Sequence, residues 1–186
     1  VHDLAPLTPL GAAKPRTDTI GDWTLTEVTD RALASVAARL GREEEAARIV
    51  ADLLGAEAPA PSRLSGGEIA AFWSGPDQWM IEAPLKTHEA LAAQLSARAG
   101  GAISVTEQTD AWCRFDLTGP DLPRVLERLC PVDVHRLVGG EAIRTTMEHM
   151  GCFLICRTPV HVSILGPRSS AGSLHHALET AMRAAK

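Results

Sequence analysis

Apolar residues recur along this chain with a spacing that switches several times between two and about 3.6, and each switch marks the edge of an element. Over residues 42–54, Ala46, Ile49, Val50, Leu53 and Leu54 fall on one helical face. Glu43, Glu44 and Glu45 suit the positive end of such a helix and Gly55 suits its exit. Residues 68–74 and 78–83 read as strands, and Gly75-Pro76-Asp77 between them makes a tight turn, so the pair is a hairpin. A second helix is expected over 86–99, with Leu91 and Leu95 on its apolar side and Gly100-Gly101 stopping it, followed by a strand at 103–106. Leu25 and Val28 indicate a short strand. Residues 33–39 are rich in alanine, leaving helix and strand nearly balanced, and are read as strand. Residues 33–108 therefore run β-α-β-β-α-β.

The remainder repeats much of this order. Cys113, Phe115 and Leu117 alternate inward over 111–117. Pro120 is expected at the first position of a helix that buries Leu122, Val125, Leu126, Leu129 and Cys130. Strands are predicted at 142–148, 152–157 and 160–165, and a last helix over 169–184 carries the stripe Leu174, Ala177, Leu178, Ala181 and Met182. Gly119-Pro120 and Gly166-Pro167 both stand where a strand hands over to a helix. The predicted class is α+β: two tandem ferredoxin-like (split β-α-β) halves, 23–108 and 109–186, with antiparallel sheets packed as one body. Residues 1–22, rich in Pro, Thr and Gly and without period, are expected to form an extended arm that orders on docking.

At 186 residues, with 45% hydrophobic and 22% charged residues, the chain has the balance of a folded protein. Lys+Arg 18 against Asp+Glu 23 gives a net charge of −5, and with no basic cluster a nucleic-acid partner is excluded. No apolar run approaches the roughly 18 to 20 residues of a membrane span. Residues 4–13 contain Pro6 and Pro9 and follow Asp3, which argues against a signal-peptide core and for a cytoplasmic address. Cys113, Cys130, Cys152 and Cys156 all sit in apolar patterns, as free buried thiols do in a reducing compartment.

Little of the remaining chemistry assembles into a reactive site. Cys152 and Cys156 lie within an apolar run close to His149 but lack a second ligand pair, so they read as structural thiols and no metal set is assigned. His175 and His176 project about a hundred degrees apart on a helix, placing at least one at the surface. No phosphate loop, dinucleotide fingerprint, nucleophile elbow or zinc-protease motif occurs, so no catalytic or cofactor-binding residues are assigned. What stands out is the outward row Trp112, Arg114 and Asp116, opposite the apolar set, with Arg144, Thr146 and Glu148 on one nearby strand and His161 and Ser163 on another. Trp and Arg anchor interfaces. Trp112, Arg114, Asp116 and Arg144 are the candidate partner interface, while Trp112 is equally suited to covering the junction between the halves. Trp73 and Trp79, beside the hairpin turn, read as core.

Several motifs occur in order: Gly75-Pro76-Asp77-Gln78-Trp79, Thr109-Asp110-Ala111-Trp112-Cys113-Arg114, Leu117-Thr118-Gly119-Pro120 with Val125-Leu126, Cys130-Pro131-Val132-Asp133-Val134-His135, and Gly166-Pro167-Arg168-Ser169. Together they resemble the gamma subunit of heterotetrameric sarcosine oxidase from about Leu25 to the C-terminus. More distantly, residues 109–157 resemble the start of the folate-binding aminomethyltransferase of the glycine cleavage system, which implies that tandem fold. The resemblance departs at one point. The aminomethyltransferases carry an acid just after a glycine pair, where it meets the folate amine; here Met150-Gly151 leads into Cys152-Phe153-Leu154. The Gly-Cys-Tyr-x-Gly-Gln motif of folate-dependent iron-sulfur assembly proteins is not matched either, because Leu-Ile-Cys follows Gly151-Cys152-Phe153.

The resemblance implies a non-catalytic structural subunit of an oxidase that converts sarcosine to glycine, with hydrogen peroxide and formaldehyde or 5,10-methylenetetrahydrofolate. In that family FAD, FMN, NAD and tetrahydrofolate belong to the larger alpha and beta subunits, and a small delta subunit completes the complex. The chain is then expected to dock on the folate-handling part of the large subunit through the Trp112/Arg114 face and the N-terminal arm. The alternative reading is a free-standing folate-binding or aminomethyltransferase-like protein, and a homo-oligomer that merely kept the fold stays open as a third.

Overall fold

The computed structural model describes residues 5–186. It divides into two units, one made of the chain up to Thr29 together with Ala111–Lys186, the other of Asp30–Asp110. The expected arm is extended only in part, and its first four residues lie outside the described ones. Thr17–Ile20 forms β1, which pairs antiparallel with β2 (Trp23–Val28) across a turn at Gly21, where φ is +60°. β2 was expected to open the first half, but it belongs to the sheet of the second. It is amphipathic, with Trp23, Leu25 and Glu27 on its buried face, and pairs with a strand some ninety residues later (Leu25 opposite Leu117). Local periodicity carries no information about so distant a partner.

Unit Asp30–Asp110 contains β3 (Arg31–Ala38), α1 (Glu43–Leu54), β4 (Leu64–Gly66), β5 (Ala70–Gly75), β6 (Gln78–Pro84), α2 (Leu91–Ala97) and β7 (Ile103–Glu107). The antiparallel sheet has the order β4-β5-β6-β3-β7. The alanine-rich segment is thus a strand with partners on both sides, tertiary pairing deciding between nearly equal local preferences. Ala32, Ala34 and Val36 pack with Trp79, Ile81, Ala46, Val50, Leu91 and Leu95 in the core of this unit. Glu43, Glu44 and Glu45 occupy the first turn of α1, and Gly55 closes it in the left-handed conformation at φ 62°. Trp79 is core, with its indole N–H donating to the Pro59 carbonyl at 3.0 Å, whereas Trp73 is only half-buried. The Pro-, Ser- and Gly-containing stretch 56–67 includes β4. Helix 86–99 is shorter than expected: Thr87 Oγ1 donates to the Pro84 carbonyl at 3.3 Å and lies 2.9 Å from His88 Nδ1, a local competition that holds residues 85–90 in turns.

The other unit adds β8 (Trp112–Thr118), α3 (Pro123–Leu126), β9 (Glu141–Met147), β10 (Met150–Thr158), β11 (His161–Pro167) and α4 (Ala171–Ala185). Its six strands are antiparallel in the order β1-β2-β8-β11-β10-β9. One face packs Leu25, Cys113, Phe115, Leu117, Leu154 and Ile164 against Val125 and Leu126 of α3 and Leu174, Leu178 and Met182 of α4. The expected helix beginning at Pro120 is a single turn that starts later, with Pro123 in its first turn. Gly119 has φ +144° and an added Cβ would lie 2.6 Å from the Asp22 carbonyl, while the Pro120 carbonyl accepts the Trp23 indole N–H at 2.7 Å. Gly119-Pro120 is therefore a close-packed corner that consumes the residues expected to start the helix. No helix among the described residues is long and apolar enough to cross a membrane.

Candidate functional site

β8 alternates as its sequence demands, with Cys113, Phe115 and Leu117 buried and Trp112, Arg114, Asp116 and Thr118 on the opposite face. Arg114 and Asp116, two residues apart on that face, form a two-pronged pair: Nε donates to Oδ1 at 2.7 Å and Nη2 to Oδ2 at 3.0 Å. β11 runs alongside, placing Ser163 opposite Asp116 and His161 opposite Thr118. His161 Nε2 lies 2.9 Å from Asp116 Oδ2, and Arg157 of β10 donates through Nε to Ser163 Oγ at 3.0 Å. Burial alone would raise the Asp116 carboxyl. The hydrogen bonds from His161 and Arg114, the Arg114 charge and Ser163 outweigh it and hold the group well below the usual carboxylate range.

The predicted interface residues share this face without forming one cluster. Arg114 and Asp116 touch directly and are largely buried, at 13% and 16% side-chain exposure. Trp112 packs on Phe153 of β10 with ring centroids 5.3 Å apart, and Arg144 of β9 lies over the same ring at 6.0 Å, so the link between Trp112 and Arg144 is Phe153. Arg144 and Thr146 are exposed. Phe153 and Arg157 escape sequence reasoning because the Cys-Phe-Leu-Ile-Cys run is apolar on both faces and gives no sign of which side is which. Glu27 was also missed. It is 2% exposed and accepts the Leu10 and Arg16 backbone N–H groups at 2.9 and 3.1 Å, pinning the N-terminal segment. An acid at an inward position of an alternating strand was the available signal.

The remaining candidate groups are structural. Burial pushes the Cys113, Cys152 and Cys156 thiols up to about 11 and raises Cys130 as well, which keeps them un-ionised. His175 is buried with Nε2 2.8 Å from Asp18 Oδ2, whereas His176 is exposed. Among the described residues no group of three or more His, Cys, Asp or Glu is placed to hold a metal ion. At the start of β10, where the sequence departs from the aminomethyltransferase pattern, Cys152, Leu154 and Cys156 enter the core and Phe153 and Ile155 are buried. Residues 151–156 contain no carboxylate.

No family model matches the chain. It is 34% identical over 88 residues to a sarcosine oxidase subunit gamma of Arthrobacter sp., a match spanning 46% of this chain and 42% of that protein, less than half its length. It is 28% identical over 173 residues to a sarcosine oxidase subunit gamma of Corynebacterium sp. (strain P-1), covering 89% of this chain and 82% of the other. Among solved structures, the heterotetrameric sarcosine oxidase from Corynebacterium sp. U-96 in complex with pyrrole 2-carboxylate aligns with a TM-score of 0.76 and 25% identity, over 86% of this chain and 83% of the matched one. The glycine cleavage system aminomethyltransferase T from Bartonella henselae shares the fold, with a TM-score of 0.65 and 16% identity over 86% of this chain and 46% of its own. The chain is thus similar in sequence to gamma subunits of sarcosine oxidase, and in fold to a chain of a heterotetrameric sarcosine oxidase.

Proposed function

We propose that the chain is a non-catalytic structural subunit of a heterotetrameric sarcosine oxidase, an oxidoreductase converting sarcosine to glycine with hydrogen peroxide and formaldehyde or 5,10-methylenetetrahydrofolate. The observation that carries this reading is a likeness to one gamma subunit that runs through nearly the whole of both chains. The structural role is supported by how the reactive groups are used. Asp116 is committed to Arg114 and His161, the thiols are buried and un-ionised, and β10 offers no carboxylate for a folate amine. In this account the partners are the alpha, beta and delta subunits, FAD, FMN, NAD and tetrahydrofolate are held by the larger ones, and the complex works in the cytoplasm. The Trp112, Arg114, Asp116 and Arg144 face serves assembly: the Arg114–Asp116 pair and the Trp112–Phe153 stack stiffen it, and exposed Arg144 reaches the partner.

Reconstitution with and without this chain tests the proposal. The subunits co-expressed with it yield an intact complex with sarcosine-dependent peroxide production, and omission loses assembly while the flavins still load. Full assembly and turnover without the chain contradicts the proposal. Micromolar binding of tetrahydrofolate to the chain itself, measured calorimetrically, turns the reading to a free-standing folate protein.

A further inference from the structure

The two edges of the six-stranded sheet are unlike. β1 is four residues long and bears Asp18, bonded to both Arg16 and His175, so this edge is short and charged. β9 is seven residues long and ends the sheet on the other side. Its register with β10 is locked by a two-residue turn, Met147 facing Met150, in which Glu148 and His149 both have positive φ, 45° and 65°. In such a hairpin the pairs 147/150, 145/152 and 143/154 exchange hydrogen bonds, so the N–H and C=O of Arg144 and Thr146 point away from β10. Both residues are exposed, whereas Ala142 is buried, so the free edge runs from Arg144 to Thr146. The residues along it, Ile143, Thr145 and Thr146, are good strand formers.

Charge selects the occupant. Arg144 makes no ion pair among the described residues, and its guanidinium lies 6.0 Å over the Phe153 ring, held on one side by an aromatic face and open on the other. A second copy of this chain pairing antiparallel about Arg144 would set Arg144 against Arg144, a like-charge pair that opposes self-association in that register. A strand bearing a carboxylate at that position gains both main-chain hydrogen bonds and an ion pair. We infer that the β9 edge accepts an extended segment of a partner subunit as an added strand, with an acidic side chain of that segment opposite Arg144. This rests on the subunit reading above.

The test is made on the assembled complex, purified through a tag on this chain. Arg144→Glu reverses the charge. Thr146→Pro removes an outward N–H and leaves the β9–β10 ladder intact, because proline is tolerated where the N–H faces away from the sheet. Each variant is expected to lower the co-purified partner about tenfold or more, whereas Arg144→Lys and the exposed Arg98→Glu of the Asp30–Asp110 unit retain it. In the wild-type complex, hydrogen exchange of the peptide covering 143–147 is expected to be slow, a readout independent of whether any variant folds. Wild-type stoichiometry in both Arg144→Glu and Thr146→Pro, or fast exchange at 143–147 in the intact complex, overturns the edge and leaves the subunit reading standing. Loss with Arg144→Glu alone reduces Arg144 to a side-chain contact and overturns strand addition. A wild-type chain that purifies without partners overturns the subunit reading and this inference together.

Discussion

Asp116 joins two strands by accepting from Arg114 on its own strand and His161 on the next, and that role has a pH signature. Its carboxyl is depressed in the folded state, so its contribution is fully present above the unfolded value of about 3.9 and is lost as pH falls below that towards the folded value. Asp116→Asn is expected to cost about 2 kcal/mol at pH 7, with the gap from wild type closing below about pH 4. Chemical unfolding at several pH values checks this, and a gap that persists unchanged into acid contradicts it. The thiols make a second residue-scale prediction. With three of them pushed up to about 11 by burial, a thiol reagent at neutral pH should label the native chain only as fast as it unfolds. Rapid labelling of any cysteine in the folded protein contradicts that. Trp112, Arg114 and Asp116 were legible because β8 alternates strictly. Phe153 was not, because both faces of β10 are apolar, and Glu27 was passed over although its inward position on β2 betrayed it.

Elements were legible where they depend on local spacing and lost where a side chain or a distant strand intervenes. α1 and α4 match their apolar stripes closely, since three or more turns of amphipathic pattern leave little choice. α2 and α3 came out shorter, one because Thr87 and His88 favour turns, the other because Gly119-Pro120 is spent on a corner. That corner is testable. Gly119→Ala places a Cβ against the Asp22 carbonyl at a φ that side chains rarely adopt, and is expected to cost about 2 kcal/mol or more, lowering Tm by several degrees. A wild-type Tm contradicts the packing described. The N-terminal segment depends similarly on Glu27: Glu27→Ala should expose residues 8–16 to limited proteolysis, while Glu27→Gln, which keeps an acceptor, should protect them better. Equal resistance of wild type and Glu27→Ala means that the segment is held by something else.

For the whole molecule, the order of strands and helices was enough to predict an α+β fold with antiparallel sheets, and the same order underlies the likeness to sarcosine oxidase and to the aminomethyltransferase. What local order could not disclose is that β1 and β2 complete the sheet of the C-terminal unit, because their partner β8 is set by long-range pairing. With aminomethyltransferase T the chain shares the fold alone. The use of Asp116 in a salt bridge and the burial of the four thiols are the grounds for the proposal that the chain supports the chemistry of others. One measurement tests that most directly: the native mass and visible absorption of the chain, tagged in its own host and purified gently. The account predicts a particle several times the mass of the chain, yellow from flavin and producing peroxide when sarcosine is added. A colourless particle containing only this chain would contradict it.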